Sequence, residues 1–221
     1  SSLMKRCLHD AFIGRARALR CSYLRRLMVY LAAGISGLTA IVGTFFVKDY
    51  LGLSAAFLAG LGFWAGLPWA LKMPLGHLVD LFWRHKYLFV YLGASVITAS
   101  LLMMYGLIAH TELMSAVMPI EAWYVLSVIL APVGYVLQDV VADAMTVEAV
   151  PAVEPSGQPI AESEIKEMHT TMQALGRFAV IGGSLLVALL NVVLFSDVDS
   201  FSLDAKRAVY ASIYLYALVI P

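Results

Sequence analysis

Four charged residues stand inside long apolar runs of this 221-residue sequence: Lys72, Asp139, Asp143 and Arg177. They are the side chains whose type and spacing can do chemistry. Lys72 lies eight residues before Asp80, at the polar exit of its run. At about 1.5 Å per residue that places it ~12 Å in from the end of a helix. Asp139 precedes Val147, near the end of another run, by the same eight residues, and Arg177 follows His169 by eight. Three expected helices therefore carry a charge at one depth, with Asp143 one turn from Asp139 on the same face. An unpaired charge in hydrocarbon costs at least ~2.5–3.5 kcal/mol, so mutual neutralisation is expected, with Lys72, Asp139 and Arg177 in one network. Such a cluster can bind an anionic substrate, Lys72 or Arg177 meeting its carboxylate. It can also carry a proton, Asp139 or Asp143 being protonated in one state and paired with a base in the other. A static salt-bridge network bracing the helices is the competing reading.

A second constellation follows Lys72 in the chain. Gly76-x-Leu78-x-Asp80-x-x-x-Arg84-x-Lys86 combines a small residue that admits a neighbouring helix, an acid near a helix end, and basic residues that pin a turn to one side of a membrane. Tyr30, Ser36, Thr39 and Thr44 can line a cavity or hydrogen-bond between helices. Trp64 and Trp69 can stack on a flat ring, although lipid and core packing are the commoner uses. Gln138 suits a polar cavity wall, and Glu148 at the end of its run reads as solvated. His77 and His85 have no partners at ligand spacing, so no metal site is expected. The sequence carries no glycine-rich phosphate loop, nucleophile triad or zinc spacing; no enzymatic activity and no cofactor are expected.

The elements that position these residues follow from composition. Apolar residues make up 61% of the chain and charged residues 14%, with a mean hydropathy of +0.83. A soluble domain is about 45–50% apolar and about 25% charged, so the chain reads as an integral membrane protein. A spanning helix needs about 20 mostly apolar residues. Candidate spans are Leu27–Val47, Ala55–Val79, Tyr87–Ala109, Ala122–Val147 and Met172–Phe195, with a sixth opening near Ala208 and cut at Pro221. Gly34, Gly37, Gly60, Gly62, Gly66, Gly176, Gly182 and Gly183 stud the spans and suit close helix packing. No alternating strand pattern is present, which excludes a β-barrel.

Seven of the fifteen Lys and Arg residues lie in the first 26 positions. Residues 1–26 read as a basic amphipathic arm on the cytoplasmic membrane surface, and the turn with Arg84 and Lys86 falls on the same side. That orientation makes a multi-pass protein of the cell or inner membrane with a cytoplasmic N-terminus. Cys7 and Cys21 lie in the basic arm and read as free thiols on a reducing face. The loop at about 151–167, with Pro151 and several glutamates, is cytoplasmic, and Lys166 with its acidic neighbours reads as a surface helix. The start without Met and the stop within an apolar run read as a fragment, residues 27–221 forming one transmembrane bundle.

The motif from Gly76 to Lys86 is similar to the signature between the second and third helices of the major facilitator superfamily. Trp83 stands where that family usually has a second Gly before the Arg. Pro68-Trp69, Lys72, Gly76 and Asp80 resemble the second-helix pattern of its folate–biopterin transporter family, with Met73 placed between the lysine and Pro74. Lys48-Asp49-Tyr50-Leu51-Gly52-Leu53-Ser54 and Asp139-Val140-Val141-Ala142-Asp143-Ala144 resemble that family's first connection and fourth helix. The resemblance implies an all-α bundle, the six-helix N-terminal half of a twelve-helix secondary transporter, its sixth helix truncated and the C-terminal half absent here. It implies a folate- or pteridine-like organic anion moved with protons by alternating access. Gly76, Asp80, Arg84 and Lys86 would form a cytoplasmic gate, and Asp139 and Asp143 are the favoured contacts for cargo or protons, Lys72 and Arg177 supporting them. Implied partners are membrane lipids, the organic anion and protons, not nucleic acid. A second class stays open: a non-transporting membrane subunit or assembly factor with protein partners in a larger membrane complex.

Overall fold

The computed structural model describes residues 21–39, 42–43, 52–148, 150, 157–196 and 203–221. Most of the basic arm and most of the Lys48–Ser54 connection lie outside them. The described residues form helices: α1 (Cys21–Ile35), α2 (Ala55–Ala70), α3 (Lys72–Leu81), α4 (Lys86–Ala109), α5 (Thr111–Val117), α6 (Ile120–Glu148), α7 (Glu162–Phe195) and α8 (Leu203–Ala217). Trp83–Ala109, Ile120–Glu148 and Glu162–Phe195 are each long and apolar enough to cross a bilayer. At about 1.5 Å per residue the shortest of them exceeds the ~30 Å hydrocarbon core. The chain is therefore a helical multi-pass membrane protein.

Helix α6 is the hub and packs on α1, α2, α3, α4 and α7. Its seam with α4 is held close by Gly93 and Gly134. A Cβ on Gly93 would stand 2.8 Å from the Gly134 carbonyl oxygen, and one on Gly134 would stand 2.6 Å from Ile97. Further along, buried Ser100 and Ser127 each donate to the other's backbone carbonyl, at 2.8 and 3.0 Å. These bonds satisfy hydroxyls that apolar surroundings would otherwise leave unpaired. A second small-residue seam joins α1 to α7. A Cβ on Gly183 would lie 2.6 Å from the Leu31 carbonyl oxygen, and Gly176 faces the Tyr30 ring.

At the far end, the Arg207 Nε of α8 donates to the Ile108 carbonyl at 2.6 Å, and its guanidinium also bonds Thr111. A cation at a helix C-terminus meets carbonyls left without intrahelical donors. Helix α7 buries little beyond Met172, Gly176, Gly183 and Val187, while Phe178, Ile181, Leu185, Leu189, Val192 and Val193 stand outward. A water-soluble protein would not present such a surface; a bilayer accepts it.

Three expectations are corrected. The second run does not make one continuous helix, because it breaks at Leu71 between α2 and α3. Pro74 has no N–H for the Ala70 carbonyl four residues back, and its ring crowds that carbonyl, so the helix restarts at Lys72. The fifth helix begins at Glu162 rather than Met172, so Lys166 and its acidic neighbours belong to α7 and form no separate surface helix. Among the described residues, Gly60, Gly62, Gly66 and Gly182 meet nothing within 4 Å and line no seam.

Candidate functional site

The break at Leu71 makes Lys72 the first residue of α3. Lys72, Gly76 and Asp80 then recur every four residues along one side of that short helix. On α6, Asp139 and Asp143 stand one turn apart opposite them. Lys72 Nζ lies 2.6 Å from Asp139 Oδ2 and 2.7 Å from Asp143 Oδ2. The third element enters from α1, where the Tyr30 hydroxyl donates to Asp143 Oδ1 at 2.7 Å. Asp143 thus has both carboxylate oxygens engaged, and Thr146 donates to its backbone carbonyl at 2.6 Å. The side chains of Lys72, Asp139 and Asp143 keep 39%, 20% and 48% of their accessible surface, so the cluster is open on its Asp143 side.

That open side is a groove of about 660 Å³ between α3 and α6, with Lys72, Gly76, Asp80, Trp83, Asp143 and Val147 along it. Its size falls within the ~300–1,000 Å³ of small-molecule sites. Next to the groove, the Lys86 ammonium stands 4.2 Å from the centroid of the Trp83 ring and 2.5 Å from Glu148 Oε2. The opposite side of Asp139 faces a separate small cavity beside Ser36, Trp69, Tyr135 and Gln138.

Of Lys72, Asp139 and Arg177, expected in one network, the structure brings together the first two, and Asp143 joins them. Arg177 is the exception. It is exposed on α7, where its neighbour Gly176 takes the buried position against Tyr30, and it makes no ion pair among the described residues. Equal depth along three helices fixes height but not azimuth, and the azimuth of Arg177 directs it away from α6. Among the gate residues, Gly76 faces Val140 at 4.0 Å, as a helix-contact glycine would. Asp80 and Arg84 are exposed, and no ion pair joins them among the described residues. The basic residue that is tied down is Lys86, and its partner Glu148 is paired rather than merely solvated.

Sequence reading named Tyr30 only as a candidate cavity or hydrogen-bonding residue and passed over Gly93, Gly134 and the Ser100–Ser127 pair. A tyrosine hydroxyl in an apolar helix signals a partner without identifying it. Trp64 is exposed and stacks edge-to-face on Phe63 at 5.7 Å, remote from any ring-binding role in the groove, whereas Trp69 walls the small cavity. Comparison with family models, characterised proteins and solved structures finds no match for this chain.

Proposed function

We propose that this chain is the N-terminal helical half of a secondary active transporter that moves a small organic solute, a folate- or pteridine-like anion, by proton-coupled alternating access. The observation that carries the proposal is Lys72 bridging Asp139 and Asp143 at the wall of an open groove. One cation between two carboxylates leaves one negative charge uncompensated. A membrane interior penalises that charge, and a single proton removes it. Protonation of Asp143 also loosens its hold on Lys72, which then can meet a carboxylate of the cargo. Proton first and anion second is the order this chemistry supports. The groove has the volume for a bicyclic ring, and Trp83, one face of which Lys86 covers, lines it. In this reading Gly76, Asp80, Arg84 and Lys86 form the cytoplasmic gate, and the N-terminal arm is cytoplasmic.

Proteoliposomes of the full-length protein test the reading, using uptake of folate and biopterin under an inward proton gradient. Asp139→Asn and Asp143→Asn should each abolish gradient-driven uptake while sparing counterflow exchange. Full gradient-driven uptake by both variants would overturn it.

A further inference from the structure

The transport reading uses the outer side of the Lys72–Asp139–Asp143 cluster and leaves its inner side unassigned. There, a cavity of about 100 Å³ lies between α1, α2 and α6. Tyr135, Gln138 and Asp139 reach it from one face of α6, being three and four residues apart. Ser36 closes it from the end of α1 and Trp69 from the end of α2. At ~30 Å³ per water molecule, the space admits an ion with a partial water shell.

Three features give the cavity an unspent cation-binding capacity. Asp139 spends only Oδ2 on Lys72, and Oδ1 has no hydrogen-bond partner among the described residues. Gln138 is 93% buried, with 7% of its surface accessible, and its amide makes no hydrogen bond among the described residues while lining the cavity. Its amide atoms are not sealed off, since Asn191 Oδ1 is the one buried side-chain polar atom without a partner among the described residues, so the amide is open to a polar occupant of the cavity. Ser36 gives its hydroxyl proton to the Ala33 carbonyl at 2.5 Å, which leaves the Ser36 oxygen as an acceptor. Carboxylate, amide oxygen and hydroxyl oxygen make an all-oxygen set.

We infer that this cavity is a binding site for a small monovalent cation, sodium, held by Asp139 Oδ1 and the Gln138 amide oxygen with Ser36 and water completing the shell. Charge fits as well as donor type. Lys72 with two carboxylates carries one net negative charge, which a monovalent ion cancels and a divalent ion would overturn. The site goes beyond the transport reading and stands without it, since it needs neither a cargo nor alternating access.

Equilibrium binding of radiolabelled sodium to the purified full-length protein in detergent, with choline chloride holding ionic strength constant, tests the inference. Saturable binding is expected. Asp139→Asn should abolish it and Gln138→Met should weaken it at least tenfold. Asp143→Asn removes the net negative charge of the cluster yet leaves the donor set in place, so binding should weaken but stay saturable. The Gln138 variant keeps the volume and the Lys72 pair, so it decides the matter if Asp139→Asn does not fold. Absence of saturable binding, or unchanged binding in both Asp139→Asn and Gln138→Met, would overturn the site and show a water-filled cavity. Sodium binding without proton-driven solute uptake would instead sink the transport reading and leave this site intact.

Discussion

At the scale of single residues, the cluster has an asymmetry between two carboxylates that the sequence presents as equivalent. Asp143 is engaged on both oxygens, by Tyr30 and by Lys72, whereas Asp139 is engaged on one. The Tyr30 bond ties α1 to α6. Interhelical hydrogen bonds in membrane proteins measure about 0.6 kcal/mol on average and reach ~1.7. A double-mutant cycle of Tyr30→Phe with Asp143→Asn, read as thermal stability in detergent, should therefore give a coupling within that range. A coupling of zero would mean that the two side chains do not meet. Lys86 and Glu148 are a different case, because both are substantially exposed. Such pairs contribute about 0–1 kcal/mol. Glu148→Gln should thus barely move the thermal midpoint, and a large fall would show that the pair carries more than a surface ion pair can.

At the scale of elements, two features decide where those residues point. The first is the break between α2 and α3. Pro74→Ala supplies the missing N–H and relieves the crowding of Ala70, which should fuse the two helices and rotate Lys72 relative to α6. The expected result is loss of Lys72–Asp139 proximity, read as failure of a Lys72→Cys/Asp139→Cys pair to crosslink in the Pro74→Ala background when it crosslinks without that change. The second is the pair of glycine seams. A methyl group on Gly134 or Gly183 would stand 2.6 Å from its neighbour, so Ala at either position should push helices apart and lower the thermal midpoint. Gly62→Ala has open space and should be neutral or stabilising by up to about 1 kcal/mol. If Gly134→Ala and Gly62→Ala behave alike, the seam assignment fails.

At the scale of the whole molecule, the helices sort into two ends. Arg84, Lys86, Glu148 and Glu162 lie at one end of α4, α6 and α7, while Thr111, Ile120 and Phe195 lie at the other. Arg207 bonding to the Ile108 carbonyl brings the start of α8 to that second end. Single cysteines at Arg84 and Leu113, in a background without Cys7 and Cys21, should therefore react with an impermeant thiol reagent from opposite sides of sealed vesicles. Under the proposed orientation Arg84→Cys reacts from the cytoplasmic side. Labelling of both from one side would overturn the spanning of α4.

The sequence by itself determined that this chain lives in a membrane, that it does so as helices, and roughly where α4, α6 and α7 run. Those properties follow from apolar run length and from backbone groups that need internal partners, and both are local. It also marked Lys72, Asp139, Asp143 and Arg177 as charges in need of compensation, since the cost of a charge in hydrocarbon does not depend on the fold. Tertiary structure alone decided who compensates whom. Arg177 matched the others in depth and still points elsewhere, because the rotation of a helix is set by its seams, here Gly176 and Gly183 against α1. Tyr30 joined the cluster for the same reason. The break at Leu71 was latent in Pro74, but its consequence, a lysine at a helix start reaching two carboxylates on α6, exists only once the two helices are packed.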